Sequence, residues 1–269
     1  MKKIAIHSVP RSGSTWLGTI FDSNPETIYK YQPLFSYEFK DFLNEHSSKE
    51  RIDVFFSKIS DCKSDFLDQV EAKKKRIIPV FPKAESTTAI VYKEVRYHHI
   101  LENMLNKHDE LKVIGLVRDP ISTIYSWYKA PKEFRSDLGW KIEEEWGLAS
   151  KKNENKKEEF NGYEKWKEVT LLFERLNSLY PERFKLIKYD ELLSDPKYVV
   201  KNLFDFANLS YSDQTIKYLE ESTSREVLDA YGVFKTKKAD KDWKGNFNQE
   251  IIDFIKKDVS GTTLEKYLA

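Results

Sequence analysis

Arg11, Ser12, Gly13, Ser14 and Thr15 stand in an unbroken row between an apolar run, Ile4-Ala5-Ile6, and a helix-like run from Trp16 to Phe21. Hydroxyls, a glycine and a guanidinium between a strand and a helix suit the holding of an anion. A helix start offers unpaired N–H groups and partial positive charge. Glycine lets the backbone approach closely, and arginine adds a planar charged fork. The plainer reading of the same row is a hydroxyl-rich helix cap. A nucleotide-hydrolysing loop needs G-x-x-x-x-G-K-[ST], and the lysine and magnesium-binding hydroxyl of that pattern are missing here. A second cation follows the apolar run "LKVIGLV": Arg118 ends it, and Ser126 lies eight residues on. That spacing is about two helical turns, so both side chains can face the carboxyl end of the strand, where open α/β sheets collect ligands.

Periodicity supplies the elements that must position these groups. Short apolar segments at 2–8, 88–97, 111–119 and 183–191 read as buried parallel strands. Helical patterns occupy 15–23, 99–105, 120–128, 163–179 and 198–207. Their alternation predicts an α/β fold: a central parallel β-sheet flanked by helices in three layers, as one domain over 1–269. Segments 29–80 and 129–165 are the expected acceptor-site or lid insertions, and the charged stretch 150–162 is the expected solvated excursion.

Composition narrows the function classes. Forty-five basic residues against forty-four acidic ones leave a net charge of +1, which argues against nucleic-acid or membrane partners and leaves room for a local basic pocket. Cys62 is the single cysteine, so no disulfide framework or thiolate metal site is expected, and a reducing, cytoplasmic location fits. The first apolar segment is too short for a signal peptide, and no stretch approaches the ~20 apolar residues of a membrane span. His7, His46, His98, His99 and His108 form no zinc-like grouping, so no metal is expected. Adjacent His98 and His99 should splay apart rather than chelate together.

The string P-R-S-G-S-T-W-L, residues 10–17, resembles the 5′-phosphosulfate loop of sulfotransferases that use 3′-phosphoadenosine 5′-phosphosulfate (PAPS). The resemblance implies a P-loop-like fold and places Arg11, Ser12, Gly13, Ser14, Thr15 and Trp16 at the donor. In that family the Arg118…Ser126 spacing contacts the 3′-phosphate. "KLIKYDELL" resembles the strand end that brings a tyrosine near the adenine, here Tyr189, and "STS" resembles a Thr-Ser pair at the same base, with Thr223 matched. "KKADKDWKGNF" resembles a carboxyl-terminal loop over the 3′-phosphate. Lys237 keeps its expected type there, Lys238 and Lys241 replace glycines, and Lys237 and Lys238 supply charge. Arg-Asp-Pro and "YKEVR" are closest in style to carbohydrate sulfotransferases, which implies a carbohydrate hydroxyl as acceptor.

The resemblance also assigns the chemistry. Arg11 matches the cation that neutralises the bridging oxygen, and Lys93 matches a strand lysine of the same catalytic centre. Fixed cations aimed at developing charge are the generic device for such a leaving group. The family's frequent glutamate base, in a context like "YEPL", is replaced by Gln32 in "YKYQPL". Glutamine orients a hydroxyl but takes no proton, so Gln32 is expected at the acceptor. Glu94 is the first substitute base and His98 the second. Strand alternation directs Glu94 away from Lys93 unless a bulge intervenes, and a salt bridge outside the site is its plainer role. Two rival readings stand beside the enzyme: a nucleotide-dependent kinase or NTPase, and a PAPS-binding relative without transfer activity.

Overall fold

Residues Lys2–His7 (β1), Thr27–Tyr31 (β2), Ala89–Glu94 (β3), Leu111–Val117 (β4) and Phe184–Lys188 (β5) pair into one sheet of order β2-β3-β1-β4-β5. Every pairing is parallel. The computed structural model describes residues 1–224, 232–234 and 241–269. Four strands fall on the apolar segments read from the sequence. β2 does not, because "TIYKY" interleaves polar residues and lies at the start of a presumed insertion. Its place at the sheet edge explains the pattern, since edge strands tolerate polar and charged residues. Lys30 on this strand is buried and ends on Asp68, 2.7 Å away.

The helices Pro120–Tyr128 and Tyr163–Leu179 occupy their expected spans. The first helix runs Ser14–Asp22, and the expected helix at 99–105 divides into a 3₁₀ turn, His98–Ile100, and a helix, Leu101–Lys107. Helices Lys49–Asp61, Asp213–Ser224 and Gln249–Val259 form where charge masks the apolar stripe. In the first of them Ser48 caps the start by accepting from the Arg51 N–H, and Ile52, Phe55, Phe56 and Ile59 form the buried face. Segment 150–162 begins as a short helix, Ser150–Asn153, and runs on as a largely exposed loop that is pinned at its end. Asn153 donates to the carbonyls of Leu148 and Asn161 at 2.8 and 2.9 Å, and Phe160 packs on His98 with ring centroids 4.5 Å apart. Most of its charges face water, Glu159 turns in to pair with Arg96 at 2.7 Å, and two buried asparagines close the loop.

Two apolar layers sandwich the sheet. Ala5, Ile90, Tyr92 and Val113 belong to one cluster, and Ile4, Ile6, Val91 and Ile114 to the other, as strand alternation requires. Register aligns the carboxyl ends: Ile6 and Tyr31 both pair with Lys93, and Val117 pairs with Lys188. The order reverses around β1, so the loop leaving it opens into the crevice where α/β sheets bind ligands.

Candidate active site

The loop from β1 to the first helix is shaped for an anion rather than capped. Gly13 is the helix N-cap, at φ 85°, and no side chain hydrogen-bonds the helix start. Arg11 is also left-handed, at φ 68°. The Ser12 hydroxyl is buried and has no hydrogen-bond partner. The hydroxyls of this loop therefore do not serve as caps, and a buried orphan hydroxyl beside an uncapped helix start fits a phosphate or sulfate group. Among the described residues no group of three or more His, Cys, Asp or Glu side chains could hold a metal ion.

The second motif closes on the first. Asp119 accepts from the Ser122 N–H at 2.7 Å and caps the helix Pro120–Tyr128, with Pro120 at its first position. That cap fixes the turn from which Arg118 reaches across, and its guanidinium donates to the Arg11 carbonyl at 2.7 Å. Arg11 in turn donates through Nε to the Ser126 hydroxyl at 3.2 Å. Arg11 and Ser126, expected at neighbouring anions, thus touch each other. Tyr189 begins the helix Tyr189–Ser194, and its ring lies under the Arg118 guanidinium at 5.0 Å and edge-on to Trp16 at 6.3 Å. It covers Gly13 so closely that a Cβ there would sit 2.4 Å from the ring.

Of the remaining donor residues, Thr223 bonds back to the Leu219 carbonyl within its own helix at 2.9 Å. Its neighbour Ser222 makes the contact to the first helix, accepting from the Trp16 indole N–H at 3.1 Å. Lys237 and Lys238 lie outside the described residues.

A second cluster flanks the loop on the β2–β3 side. Lys93 is buried, its ammonium 4.5 Å from the Tyr31 ring centre. Burial pulls its pKa down to about 7, with Glu94 and Glu133 opposing that fall and Arg96 and Arg11 adding to it. Gln32, left-handed at φ 46°, donates its N–H to the Lys93 carbonyl at 2.7 Å, and its side-chain oxygen accepts from Arg96 at 3.1 Å. Burial and the Glu133 carboxylate push the Tyr31 hydroxyl up to about 12. Glu133 itself lies 3.8 Å from Arg11.

Glu94 and His98 sit elsewhere. No bulge interrupts β3, and Glu94 turns to the opposite face from Lys93. It is fully buried and accepts from the Leu34 and Val95 N–H groups at 3.2 and 3.1 Å. His98 is fully buried, its Nδ1 3.0 Å from that of His7, whose Nε2 meets the Tyr92 hydroxyl at 3.2 Å. Burial holds His98 well below the ordinary imidazole range and lowers His7 to about 3. Tyr31, Arg96 and Glu133 escaped the sequence reading. The first two lie inside the quoted "YKYQPL" and "YKEVR" strings, whereas nothing in the spacing around Glu133 marks it.

A parallel α/β sheet with a glycine-bearing anion loop at its switch point defines a P-loop-like, anion-handling fold. The sulfotransferase domain family matches residues 1–267, and the chain belongs to the PAPS-dependent sulfotransferase family. No curated protein matches the sequence significantly. Among solved structures, a mouse sulfotransferase, SULT7A1 complexed with PAP, is 14% identical with a TM-score of 0.55, covering 98% of this chain and 86% of that one. Retinol dehydratase in complex with androsterone and inactive cofactor PAP is 15% identical with a TM-score of 0.54, covering 97% and 82%. These likenesses establish a shared fold. No described helix is long and apolar enough to cross a membrane.

Proposed function

We propose that the crevice between the two anion motifs binds PAPS and that the sulfuryl group passes to a carbohydrate hydroxyl held beside Gln32. The observation that carries the donor half is the orphan Ser12 hydroxyl at an uncapped helix start, next in the chain to Arg11, whose carbonyl accepts from Arg118 and which lies within electrostatic reach of Lys93. In this reading Ser12, Gly13, Ser14 and Thr15 hold the phosphosulfate end through hydroxyls and backbone N–H groups. Arg118 and Ser126 face the 3′-phosphate, and Tyr189, Trp16 and Thr223 border the adenine. PAPS, when bound, supplies the activated sulfuryl group. Arg11 and Lys93 stabilise the charge that develops on the departing phosphate oxygen. Family membership favours this over a kinase or a silent relative.

The acceptor half rests on a cavity of about 770 Å³ whose wall includes Arg96, the hydrogen-bond partner of Gln32. Its walls come from both segments anticipated as insertions, with Leu34, Phe35 and Phe66 from the first and Glu158 and Glu159 from the second. Phe35 and Phe66 are exposed and meet at 5.9 Å between ring centres. Apolar faces with a few converging polar groups are the usual make-up of a small-molecule site. Flat aromatic faces edged by Glu38, Lys40 and Lys63 suit a sugar ring, with carbons against the rings and hydroxyls on the charged edge. The test is transfer from labelled PAPS to a panel of sugars and glycosides, phenols, sterols and retinol. Labelled product with the sugars supports the reading. Transfer confined to sterols and retinol would replace the acceptor class, and transfer to none would remove the activity.

A further inference from the structure

We propose that Glu133 is the general base of this sulfotransferase, taking the acceptor proton that Gln32 cannot take. The inference rests on the donor-site reading above. The two substitutes suggested by the sequence point away from the reacting centre. Glu94 spends both carboxylate oxygens on backbone N–H groups in a fully buried position, and His98 is sealed against His7 and Phe160. Glu133 follows the helix Pro120–Tyr128, which leaves the carboxyl end of β4. Its carboxylate is 3.8 Å from Arg11 on the anion loop and within electrostatic reach of Tyr31 at the end of β2 and of Lys93 and Arg96 at the end of β3. Gln32 is bonded to that same Arg96. The carboxylate is therefore paired with a donor-loop cation and within electrostatic reach of Arg96, which lines the acceptor cavity.

The backbone holds Glu133 firmly in that place. The Ala130 carbonyl accepts from both the Glu133 and Phe134 N–H groups, at 2.9 and 2.8 Å. Phe134 is buried, edge-on to Trp127 at 5.1 Å. The Glu133 side chain is one-quarter exposed, so an acceptor can reach it, unlike Glu94 or His98. An isolated surface ion pair would need none of this anchoring and contributes little to stability. The acceptor O–H proton passes to a Glu133 oxygen as the acceptor oxygen bonds to sulfur. The sulfur–oxygen bond to the nucleotide phosphate breaks, and its electron pair leaves with 3′-phosphoadenosine 5′-phosphate (PAP), yielding a sulfate ester.

The test compares wild type, Glu133→Gln and Glu133→Ala, with PAP affinity read by calorimetry, folding by thermal melting, and turnover of octyl glucoside and of 4-nitrophenol. Both variants should bind PAP within about threefold of wild type, while kcat on the glucoside falls about 10²–10⁴-fold, the usual worth of a positioned base. The loss should be smaller with 4-nitrophenol, which is already largely ionised, and added formate should restore part of the Glu133→Ala rate. Glucoside turnover in Glu133→Gln within threefold of wild type overturns the proposal. So does a loss equal for both acceptors and untouched by formate, the mark of a tether for Arg11. Wild-type protein that fails to bind PAP overturns the donor-site reading beneath it, a separate outcome from any of these.

Discussion

Lys93 and Glu94 are chain neighbours on opposite faces of one strand, and burial drives both towards neutrality. It lowers the ammonium and raises the carboxyl, each to about 7. Each charge supports the other across the backbone, since Glu94 is the largest influence holding the lysine up and Lys93 helps hold the carboxyl down. Replacing Glu94 by glutamine removes that support, so Lys93 loses its proton at lower pH. The high-pH limb of kcat/KM should therefore move to lower pH in Glu94→Gln; a limb that stays in place removes Lys93 from the titration that limits the rate. Stability carries the opposite signature of the carboxyl. Its folded pKa lies above the ordinary 4.5, so the native state binds more protons than the unfolded chain between there and about 7. Stability then falls as pH rises through that window. Thermal melts of wild type across that window should show this decline, and the melts of Glu94→Gln should lack that component.

In the strand–loop–helix element the proposed donor loop is most sharply constrained at Gly13. Gly13 adopts φ 85°, and the Tyr189 ring fills the space a Cβ there would take. An alanine there carries the left-handed penalty of roughly 1–2 kcal/mol and also pushes the ring away. Gly13→Ala should thus cost at least tenfold in PAP affinity by calorimetry. Gly139→Ala, at φ 75° in open space, should lower the melting temperature by a similar strain and leave PAP affinity unchanged. Equal affinities for the two variants would take Tyr189 out of the site. The two strand–turn–helix motifs were legible in the sequence because each is a local device, a few residues at a strand end whose spacing carries the geometry. Four strands were legible because burial on both faces leaves an apolar run. β2 was not, since an edge strand is free to carry Lys30 on a hidden salt bridge. Glu133 was not, since its place depends on how a turn after the helix Pro120–Tyr128 folds back, whereas the direction of Glu94 was, since strand alternation turns it from Lys93 and the register of β3 is unbroken.

At the scale of the whole molecule the net charge is only +1, so attraction for a nucleotide bearing several negative charges must come from where cations gather and not from a global field. They gather at one edge: Arg11 and Arg118 joined through the Arg11 carbonyl, and Lys93 buried beside them. A ligand that binds only the folded chain stabilises it by mass action, about 2.7 kcal/mol at a hundred times its dissociation constant. For a chain of this size that corresponds to a melting temperature raised by roughly 5–10 °C. PAP at that concentration should give such a shift. Adenosine 5′-monophosphate at the same concentration should give a much smaller one, because it offers nothing to the Arg118–Ser126 half. Arg118→Ala should erase the difference between the two nucleotides, while Lys201→Ala, on an exposed helix pair with Asp205, should preserve it. Equal shifts from both nucleotides in the wild type would dissolve the second anion site and leave the loop at Ser12 and Gly13 as a binder of one phosphate.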